Sequence, residues 1–223
     1  MKSLWAIIPV KSIKNGKSRL ASILSLNERK ILNTSLLDHT IRILNNKIPL
    51  INIYVVSQDI NVLNFAHSLR VQTIFEKGLP DLNKALNQAV NEILCKNIDH
   101  LFIFPSDLPL LSNNDIKSML YLSGNKPGMV IAPDRKKIGT NGLLINPPGF
   151  ISFQFGDGSY QTHIDQAIKS GIPYLIYDSI SLGLDLDLPE DFEYLMNNKN
   201  MIDDLKLLKI FNDIHYSRIK EAL

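Results

Sequence analysis

Short apolar runs alternate with stretches of helical periodicity along most of this chain, and this alternation limits the fold more than any other feature. A strand, a helix and a second strand in succession predict a βαβ unit, whose two strands lie parallel in one sheet. The predicted strands cover residues 5–10, 51–56, 71–75, 101–104, 129–133, 143–145 and 174–177. We therefore expect an α/β fold with a mainly parallel sheet between helices.

Several helix starts carry residues with known capping chemistry. Apolar side chains recur on one face of residues 82–94, and Asp81 is placed to cap their first turn. Ser25 and Glu28 have the spacing of a capping box, which predicts the start of a long helix. Pro189 suits the first position of a later helix, where its missing N–H group is not needed.

Length and composition exclude several classes of protein. With 223 residues, 45% of them hydrophobic and 21% charged, the chain can bury one sizeable core. A net charge of +2 argues against nucleic-acid binding, and no apolar run approaches the roughly 20 residues that cross a membrane. Because repeats and low-complexity linkers are absent, we expect one domain over 1–197 and a helical extension over 198–223. The single cysteine, Cys95, cannot form an internal disulfide, which suits the cytoplasm.

A basic loop follows the first predicted strand. Lys11, Lys17 and Arg19 lie at the sheet edge where open α/β folds bind ligands, so they are placed to hold a polyphosphate. Gly16-Lys17-Ser18 imitates the end of a P-loop, but Lys11 stands where that motif needs its first glycine, which excludes it. A solvated basic loop is the alternative interpretation, and the position after the first strand favours phosphate binding.

Two acidic motifs offer ligands for a metal. Asp107, between Pro105 and Pro109, follows a buried strand, and Mg²⁺ uses one or two such carboxylates together with substrate phosphates. Asp185 and Asp187 point to opposite faces if their segment is extended, and we expect Asp187 to share the metal with Asp107. A turn at the first motif and helix-start chemistry at the second are the alternatives. The neighbouring acidic residues Glu190 and Asp191 fit that helix-start role.

Two glycine-containing loops, 139–142 and 155–159, carry hydroxyl groups that suit a phosphate or carboxylate. Ser159 is equally explained as an N-cap, and His163 is expected at the surface. The sequence contains no nucleophile triad and no zinc-ligand spacing. Transfer of a phosphoryl-type group fits this pattern, since it needs positioning and cations more than a protein nucleophile.

The segments that carry these residues occur in a characteristic order: Ile8-Pro9-Val10-Lys11, Lys17-Ser18-Arg19-Leu20, Leu82-Asn83-Lys84-Ala85-Leu86-Asn87, Asp107-Leu108-Pro109-Leu110-Leu111, Ala132-Pro133-Asp134-Arg135, Gly139-Thr140-Asn141 and Phe155-Gly156-Asp157-Gly158-Ser159. Together they resemble the 2-phospho-L-lactate guanylyltransferase family of coenzyme F-420 biosynthesis, over residues 4–195. Three positions depart from the family: Gly16 and Ser106 replace alanine, and Leu188 replaces a threonine that caps the next helix.

The resemblance implies a single-domain nucleotidyltransferase fold, a three-layer sandwich with a mixed, mainly parallel sheet. It also implies GTP and Mg²⁺ as co-reactants and a homodimer. Lys11, Lys17 and Arg19 are implied to grip the triphosphate, with Lys17 and Arg19 also catalytic. Asn83 and Asn87 are implied to border the nucleotide.

The remaining roles implied by the resemblance concern the metal and the second substrate. Asp107 and Asp187 are implied to hold the metal, with Asp107 also catalytic. Thr140, Gly156 and Ser159 are implied to hold the phosphorylated hydroxy acid.

The implied reaction joins the phosphate of 2-phospho-L-lactate to the α-phosphorus of GTP, which gives lactyl-2-diphospho-5′-guanosine and pyrophosphate. A phosphate monoester is largely ionised near neutral pH, so no strong general base is needed. Three alternatives remain open. The acceptor could be phosphoenolpyruvate, 3-phosphoglycerate, a sugar phosphate or a molybdopterin. The chain could be a glycosyltransferase that uses Asp185-Leu186-Asp187, or a nucleotide-sensing module without turnover.

Overall fold

The seven predicted strands are all present in a computed structural model that describes residues 3–14, 16–45, 51–94, 96–124 and 126–221. Cys95, which suggested the cytoplasm, lies outside these residues. The strands are β1 (Leu4–Pro9), β2 (Ile51–Ser57), β3 (Gln72–Phe75), β4 (His100–Ile103), β5 (Gly128–Pro133), β6 (Thr140–Asn146) and β7 (Tyr174–Ile176). Strand β6 is longer than predicted and begins at Thr140, inside the segment expected to be a polar loop.

The strands form one sheet in the order β3-β2-β1-β4-β6-β5-β7. All neighbouring pairs are parallel except those of β6, which runs antiparallel to both β4 and β5. The prediction of a mixed, mainly parallel sheet is therefore confirmed. Because β6 is reversed, its first residue lies at the same edge of the sheet as the last residues of β1 and β4.

Helices cover both faces of the sheet. They are α1 (Leu26–Asn45), α2 (Ile60–Ser68), α3 (Leu82–Ile93), α4 (Asn113–Ser123), α5 (Ser159–Lys169), α6 (Ile180–Gly183), α7 (Pro189–Asn197) and α8 (Leu205–Glu221). Buried side chains of α1, α2 and α4 pack on one face, and those of α3 and α5 pack on the other. This arrangement is the expected three-layer sandwich, since strands buried on both faces need a helical layer on each side.

The predicted helix starts are confirmed by their hydrogen bonds. Glu28 N donates to Ser25 Oγ at 3.3 Å, and Ser25 N donates to the Glu28 carboxylate at 2.8 Å, which completes the capping box. Asp81 accepts the N–H groups of Asn83 and Lys84 at the start of α3. Pro189 is the first residue of α7.

The C-terminal helix α8 packs against α1 and α7. Its residues Leu207, Phe211 and Ile214 are buried in a third apolar cluster, where the ring centroids of Phe211 and Phe192 are 5.6 Å apart. The expected boundary after residue 197 falls between α7 and the short 3₁₀ turn Lys199–Met201. Within the described ranges, no helix combines the length and the apolar character needed to cross a bilayer.

Candidate active site

A cavity of about 790 Å³ opens at the carboxyl ends of β1 and β4. Open α/β folds bind their ligands at this edge of the sheet. Its walls include the loop after β1, the loop after β4, the start of α3 and the segment before α7, together with residues of α1 and of the loops after β2 and β3. The charged residues among those that line it are Lys11, Lys17, Arg19, Glu76, Asp81, Asp107 and Asp187.

Lys17 is the centre of this charged wall. Its Nζ atom donates hydrogen bonds to Asp107 Oδ2 at 2.6 Å and to Asp187 Oδ1 at 2.8 Å. Only 6% of the lysine side chain is exposed. Burial lowers the pKa of Lys17, but the two carboxylates outweigh burial, and the net result is a raised pKa. The ammonium group therefore stays charged between two anions.

Lys11 and Arg19 extend the positive charge along the cavity. The guanidinium Nη1 of Arg19 lies 3.8 Å from Asp187 Oδ2, and most of the arginine side chain is exposed. Burial raises the pKa of Asp187, but the nearby cations, Lys17 foremost, bring it below its usual value. The structure thus collects in one wall the residues predicted to hold the triphosphate and the metal.

The backbone ties Asp107 to the second acidic motif. Leu186 N donates to the carbonyl oxygen of Asp107 at 3.0 Å. Asp185 accepts a hydrogen bond from Asn141 Nδ2 at 3.2 Å. Burial raises the pKa of Asp185 to about 6, and the negative charge of Asp107 adds to the rise. Asp185 and Asp187 therefore have different partners, and Asp187 is the one that shares a cation with Asp107.

A buried carboxylate on α7 holds the segment that carries Asp187. Asp191 Oδ2 accepts the N–H groups of Asp187 and Leu188, at 3.1 and 2.8 Å. Its Oδ1 accepts from the Arg135 guanidinium. Leu188 lacks a capping hydroxyl, so Asp191 fixes the entry into α7 from inside the helix. The helix-start role of Asp191 is confirmed. The sequence did not predict a role for Arg135, although Arg135 lies in one of the segments that carry the resemblance.

Asp107 and Asp187 fit a hard divalent cation. Their carboxylate oxygen atoms lie within 2.8 Å of a single positive group, the Lys17 ammonium, so they converge on one charge. Within the described part of the chain, no group of three or more His, Cys, Asp or Glu side chains surrounds a metal position. A metal here would depend on two protein carboxylates and on oxygen atoms of the substrates, as is common for Mg²⁺.

A second group of polar side chains lies between β6 and α5. Thr140 Oγ1 is 3.1 Å from His163 Nδ1, and Gln154 N donates to His163 Nε2 at 3.2 Å. Tyr160 N donates to the carbonyl oxygen of Ile138 at 3.0 Å, which ties the start of α5 to the loop before β6. The two glycine-containing loops predicted to bind the acid are therefore neighbours.

One expectation about this second group is wrong, and so is one alternative interpretation. His163 is fully buried rather than at the surface, because α5 turns it inward and Phe155 packs on its ring with centroids 5.0 Å apart. Ser159 is not the N-cap of α5, since Gly158 holds that position with a φ of 74°. The Ser159 hydroxyl is buried and has no hydrogen-bond partner among the described residues. A buried hydroxyl without a partner is uncommon in folded proteins, because leaving it unpaired costs free energy.

The two asparagines of α3 differ in their surroundings. Asn83 Oδ1 accepts the N–H group of Phe155 at 2.7 Å, and its Nδ2 donates to the Phe155 carbonyl at 3.1 Å. Asn87 is exposed. The described lining of the cavity includes Leu82 and Ala85 of this helix but neither asparagine. Asn83 is therefore connected to the cavity through Phe155, which does line it.

Comparison with known sequences identifies the family. The family described as Guanylyl transferase CofC like matches residues 4–218. The chain belongs to this family. A phosphoenolpyruvate guanylyltransferase from Thermobaculum terrenum is 37% identical over 85% of this chain and 81% of that protein. A 2-phospho-L-lactate guanylyltransferase from Methanocaldococcus infernus is 35% identical over 83% of this chain and 81% of that protein. The match continues past residue 195, where the resemblance was expected to end.

Solved structures of low sequence identity share the fold of this guanylyltransferase. A protein from Desulfovibrio desulfuricans G20, provisionally described as a nucleotide-diphospho-sugar transferase, has a TM-score of 0.78 at 13% identity, with 99% of this chain and 98% of that chain covered. A CMP:2-keto-3-deoxy-manno-octonic acid synthetase solved with CTP has a TM-score of 0.60 at 10% identity, with 90% and 99% covered. The expected nucleotidyltransferase fold is confirmed, and the chain is a nucleotidyltransferase.

Proposed function

We propose that this enzyme transfers the guanylyl group of GTP to the phosphate of 2-phospho-L-lactate. The observation that carries the proposal is the buried Lys17 ammonium, fixed between Asp107 and Asp187 at the wall of a cavity that can hold a nucleotide. Family membership supports the choice of guanylyl transfer over other nucleotidyl transfers. The products are lactyl-2-diphospho-5′-guanosine and pyrophosphate.

The basic loop provides the binding charge for the triphosphate. Lys11 and Arg19 line the cavity together with Lys17, and the largely exposed Arg19 side chain, whose guanidinium lies 3.8 Å from Asp187, is placed to contact a phosphate. An oxygen of the acceptor phosphate forms a bond to the α-phosphorus, and the bond from that phosphorus to the β-phosphate oxygen breaks. Pyrophosphate leaves with the electron pair. Lys17 and Arg19 neutralise the charge that develops on it, which lowers the barrier.

Asp107 and Asp187 are the residues that we propose to hold Mg²⁺. When bound, the ion supplies Lewis-acid charge for the phosphates. The chain's own contribution is to make both carboxylates converge, because the Lys17 ammonium donates hydrogen bonds to Asp107 and to Asp187. Asn83 and Asn87 are proposed to border the nucleotide, and Asn83 also holds the backbone of Phe155, which lines the cavity.

The acid is proposed to bind at Thr140, Gly156 and Ser159. The Ser159 hydroxyl is buried, and its hydrogen is not bonded to any described residue, so an anion would satisfy it. Gly156 has a φ of 125°, a conformation open to glycine, and it is exposed at the end of the loop. Together these groups offer hydroxyl and backbone donors to a phosphate or a carboxylate.

Phosphoenolpyruvate is a second candidate acceptor. The relative from Thermobaculum terrenum carries that substrate in its name, at 37% identity. The two acids share a carboxylate and a phosphate on the same carbon, so Thr140 and Ser159 can serve either. Only a direct comparison of the two acids separates them.

The experiment is a matrix of nucleoside triphosphates against acceptors, with pyrophosphate release and product mass as readouts. The expected result is release with GTP and 2-phospho-L-lactate, and a product of the mass of lactyl-2-diphospho-5′-guanosine. Greater turnover with phosphoenolpyruvate selects the second candidate. GTP binding without acceptor-dependent release would identify a sensing module instead, and transfer from a nucleotide sugar would identify a glycosyltransferase.

A homodimer and a cytoplasmic location complete the proposal. Sedimentation of the purified chain tests the first, and fractionation of cells tests the second. A monomer at all concentrations assayed contradicts the dimer without affecting the proposed chemistry.

A further inference from the structure

His163 is a fully buried histidine whose two ring nitrogens both have polar neighbours. It lies on α5, between the Thr140 hydroxyl and the backbone of Gln154. The chemistry proposed above uses no histidine as a base. A buried imidazole with two specific partners nevertheless needs an explanation, because a core position would be filled at lower cost by an apolar side chain.

The backbone of Gln154 decides which ring nitrogen carries the proton. An amide N–H group can only donate, so Nε2 of His163, 3.2 Å from Gln154 N, must accept and carries no hydrogen. A neutral imidazole then has its hydrogen on Nδ1. Burial lowers the pKa of His163 to about 4, and the N–H group that faces Nε2 opposes protonation in the same direction. The ring is therefore neutral at physiological pH.

The tautomer of His163 determines the orientation of the Thr140 hydroxyl. Nδ1–H of His163 donates to Thr140 Oγ1 across 3.1 Å. Thr140 must then direct its own hydrogen away from the ring, since two hydrogens cannot lie between the same two atoms. A threonine hydroxyl that accepts from the ring keeps its hydrogen on the side away from His163, which restricts its rotation.

The loop that supplies Gln154 is itself held in place. Asn83 bonds both the N–H and the carbonyl of Phe155, the residue after Gln154. The Phe155 ring packs edge-on against His163, with centroids 5.0 Å apart. A chain of contacts thus runs from α3 through the 154–158 loop to Thr140, and it leaves the imidazole one orientation.

We propose that His163 is a positioning residue, whose Nδ1–H group holds the Thr140 oxygen and turns the threonine hydroxyl hydrogen towards an anionic oxygen of the bound acid. This inference rests on the proposed function, because it places the acid at Thr140. It adds a residue that does not touch the acid but prepares one of its donors. Preorganised donors of this kind strengthen binding because their orientation need not be fixed on association.

The first test measures the tautomer in the unmodified protein. Long-range proton–nitrogen correlation spectra of protein labelled with nitrogen-15 distinguish a protonated ring nitrogen from an unprotonated one. We expect His163 to carry its hydrogen on Nδ1 and to stay neutral from pH 6 to 8. A hydrogen on Nε2, or a doubly protonated ring at pH 7, overturns the proposal.

The second test compares two substitutions, each of which keeps one of the two hydrogen bonds of the His163 ring. His163→Asn places an amide near the position of Nδ1 and can still donate to Thr140. His163→Gln places the amide near Nε2 and can still accept from Gln154. We expect His163→Gln to raise the KM for the acid by about tenfold, and His163→Asn by no more than about threefold. The KM for GTP should change less than twofold in both.

Equal effects of the two substitutions overturn the proposal, as do equal rises in KM for the acid and for GTP. Both patterns are what a merely structural histidine would give. Thermal unfolding of each variant checks that it is folded before its kinetics are compared.

The two hypotheses fail in different ways. Absence of acceptor-dependent pyrophosphate release from the unmodified protein refutes the proposed function. An active unmodified protein with the wrong His163 tautomer refutes only the positioning role.

Discussion

Lys17 combines two features that cost free energy in a lysine, a left-handed backbone and a buried ammonium. Its φ is 57°, a conformation that non-glycine residues adopt rarely, and it precedes the 3₁₀ turn Ser18–Ser22. The left-handed turn aims the side chain at two carboxylates, whose charge offsets the cost of burial. Strain that persists at such a place is typical of functional sites. We therefore expect substitutions that remove the interaction of Lys17 with Asp107 to affect the site most.

Replacement of Asp107 tests the proposed metal site at the residue scale. We expect Asp107→Asn to lower pyrophosphate release by at least about 100-fold, because one charged ligand is lost from the site of charge development. Steady-state assays over a range of Mg²⁺ concentrations provide the measurement. Asp178→Asn is the matched control, since Asp178 also pairs with a lysine, Lys137, but is largely exposed. A folded Asp107→Asn variant with near wild-type release would refute the assignment.

Removal of the Thr140 hydroxyl tests the acid subsite. We expect Thr140→Ala to raise the KM for the acid by about tenfold and to leave the KM for GTP nearly unchanged, because one hydrogen bond to an anion is lost. Initial rates at varied acid and varied GTP separate the two constants. Thr34→Ala removes a hydroxyl that bonds only within α1, to Lys30 O, and serves as the control. Equal losses for both substrates would contradict the subsite.

A site residue is predictable from the sequence when a local pattern of the chain determines its position. Lys11, Lys17 and Arg19 follow the first strand directly, so the strand pattern alone places them at the binding edge. The burial of His163 is not predictable in this way, because it depends on which face of α5 meets the sheet. The contact of Arg135 with Asp191 joins residues 56 apart in the chain, and no local pattern encodes it.

At the scale of elements, α8 is linked to the loop that carries Asp107. Asp204 caps α8 by accepting the N–H groups of Lys206 and Leu207. Its other carboxylate oxygen accepts from His39 on α1, at 2.7 Å, and from the Arg42 guanidinium. The second ring nitrogen of His39 lies 3.0 Å from the carbonyl oxygen of Leu111, at the end of the Asp107 loop. The helical pattern of the tail predicts α8. It does not predict how α8 is attached, because the contacts involve the start of α8, α1 and the Asp107 loop.

The Asp204 carboxylate gives this docking a pH dependence. Burial raises its pKa, but hydrogen bonds from Arg42 and His39 outweigh burial and hold the pKa at about 2, below the ordinary value of 3.8. A lowered carboxylate pKa stabilises the fold above pH 4, and that contribution is lost as the pH falls from about 4 to 2. We expect Asp204→Asn to reduce the free energy of unfolding by about 2 kcal/mol at pH 7.

Urea unfolding of the unmodified protein and of Asp204→Asn between pH 7 and pH 3 measures this loss of stability. The difference between their free energies of unfolding should be constant down to about pH 5 and should narrow below pH 4. Asp203→Asn, at the exposed neighbouring position, should show no such pattern. A difference that stays the same at pH 3 would rule out the ion pair as its source.

At the scale of the whole molecule, two apolar clusters lie on the two faces of the sheet and a third joins α1, α7 and α8. The sheet and its two helical layers are predictable, because the periodicity of each segment gives its type and the βαβ rule gives the pairing. The reversal of β6 is not, since the residues of 140–146 suit a strand of either direction. The sequence predicts a helical extension over 198–223 but not its packing on α1 and α7, because the third cluster is built from residues far apart in the chain.

The third cluster predicts that α8 is needed for stability. Phe211 is fully buried against Phe192, and we expect Phe211→Ala to cost about 3–4 kcal/mol of the free energy of unfolding. Leu205→Ala, at a position 79% exposed on the same helix, should cost less than about 0.5 kcal/mol. Chemical denaturation monitored by circular dichroism compares the two. Similar small losses would show that α8 is a dispensable extension.

The contact of Lys17 with Asp187 also constrains when the site can form during synthesis. The two residues are 170 positions apart. At a ribosomal rate of roughly 5–20 residues per second, Asp187 is made roughly 10–30 s after Lys17. Asp107, 90 positions from Lys17, is made about half-way through that interval, so the ammonium first has neither anion and then only one, and it remains hydrated. The cationic residue of the site is thus synthesised before both carboxylates, and Lys17 can be buried between them only after Asp187 has been synthesised.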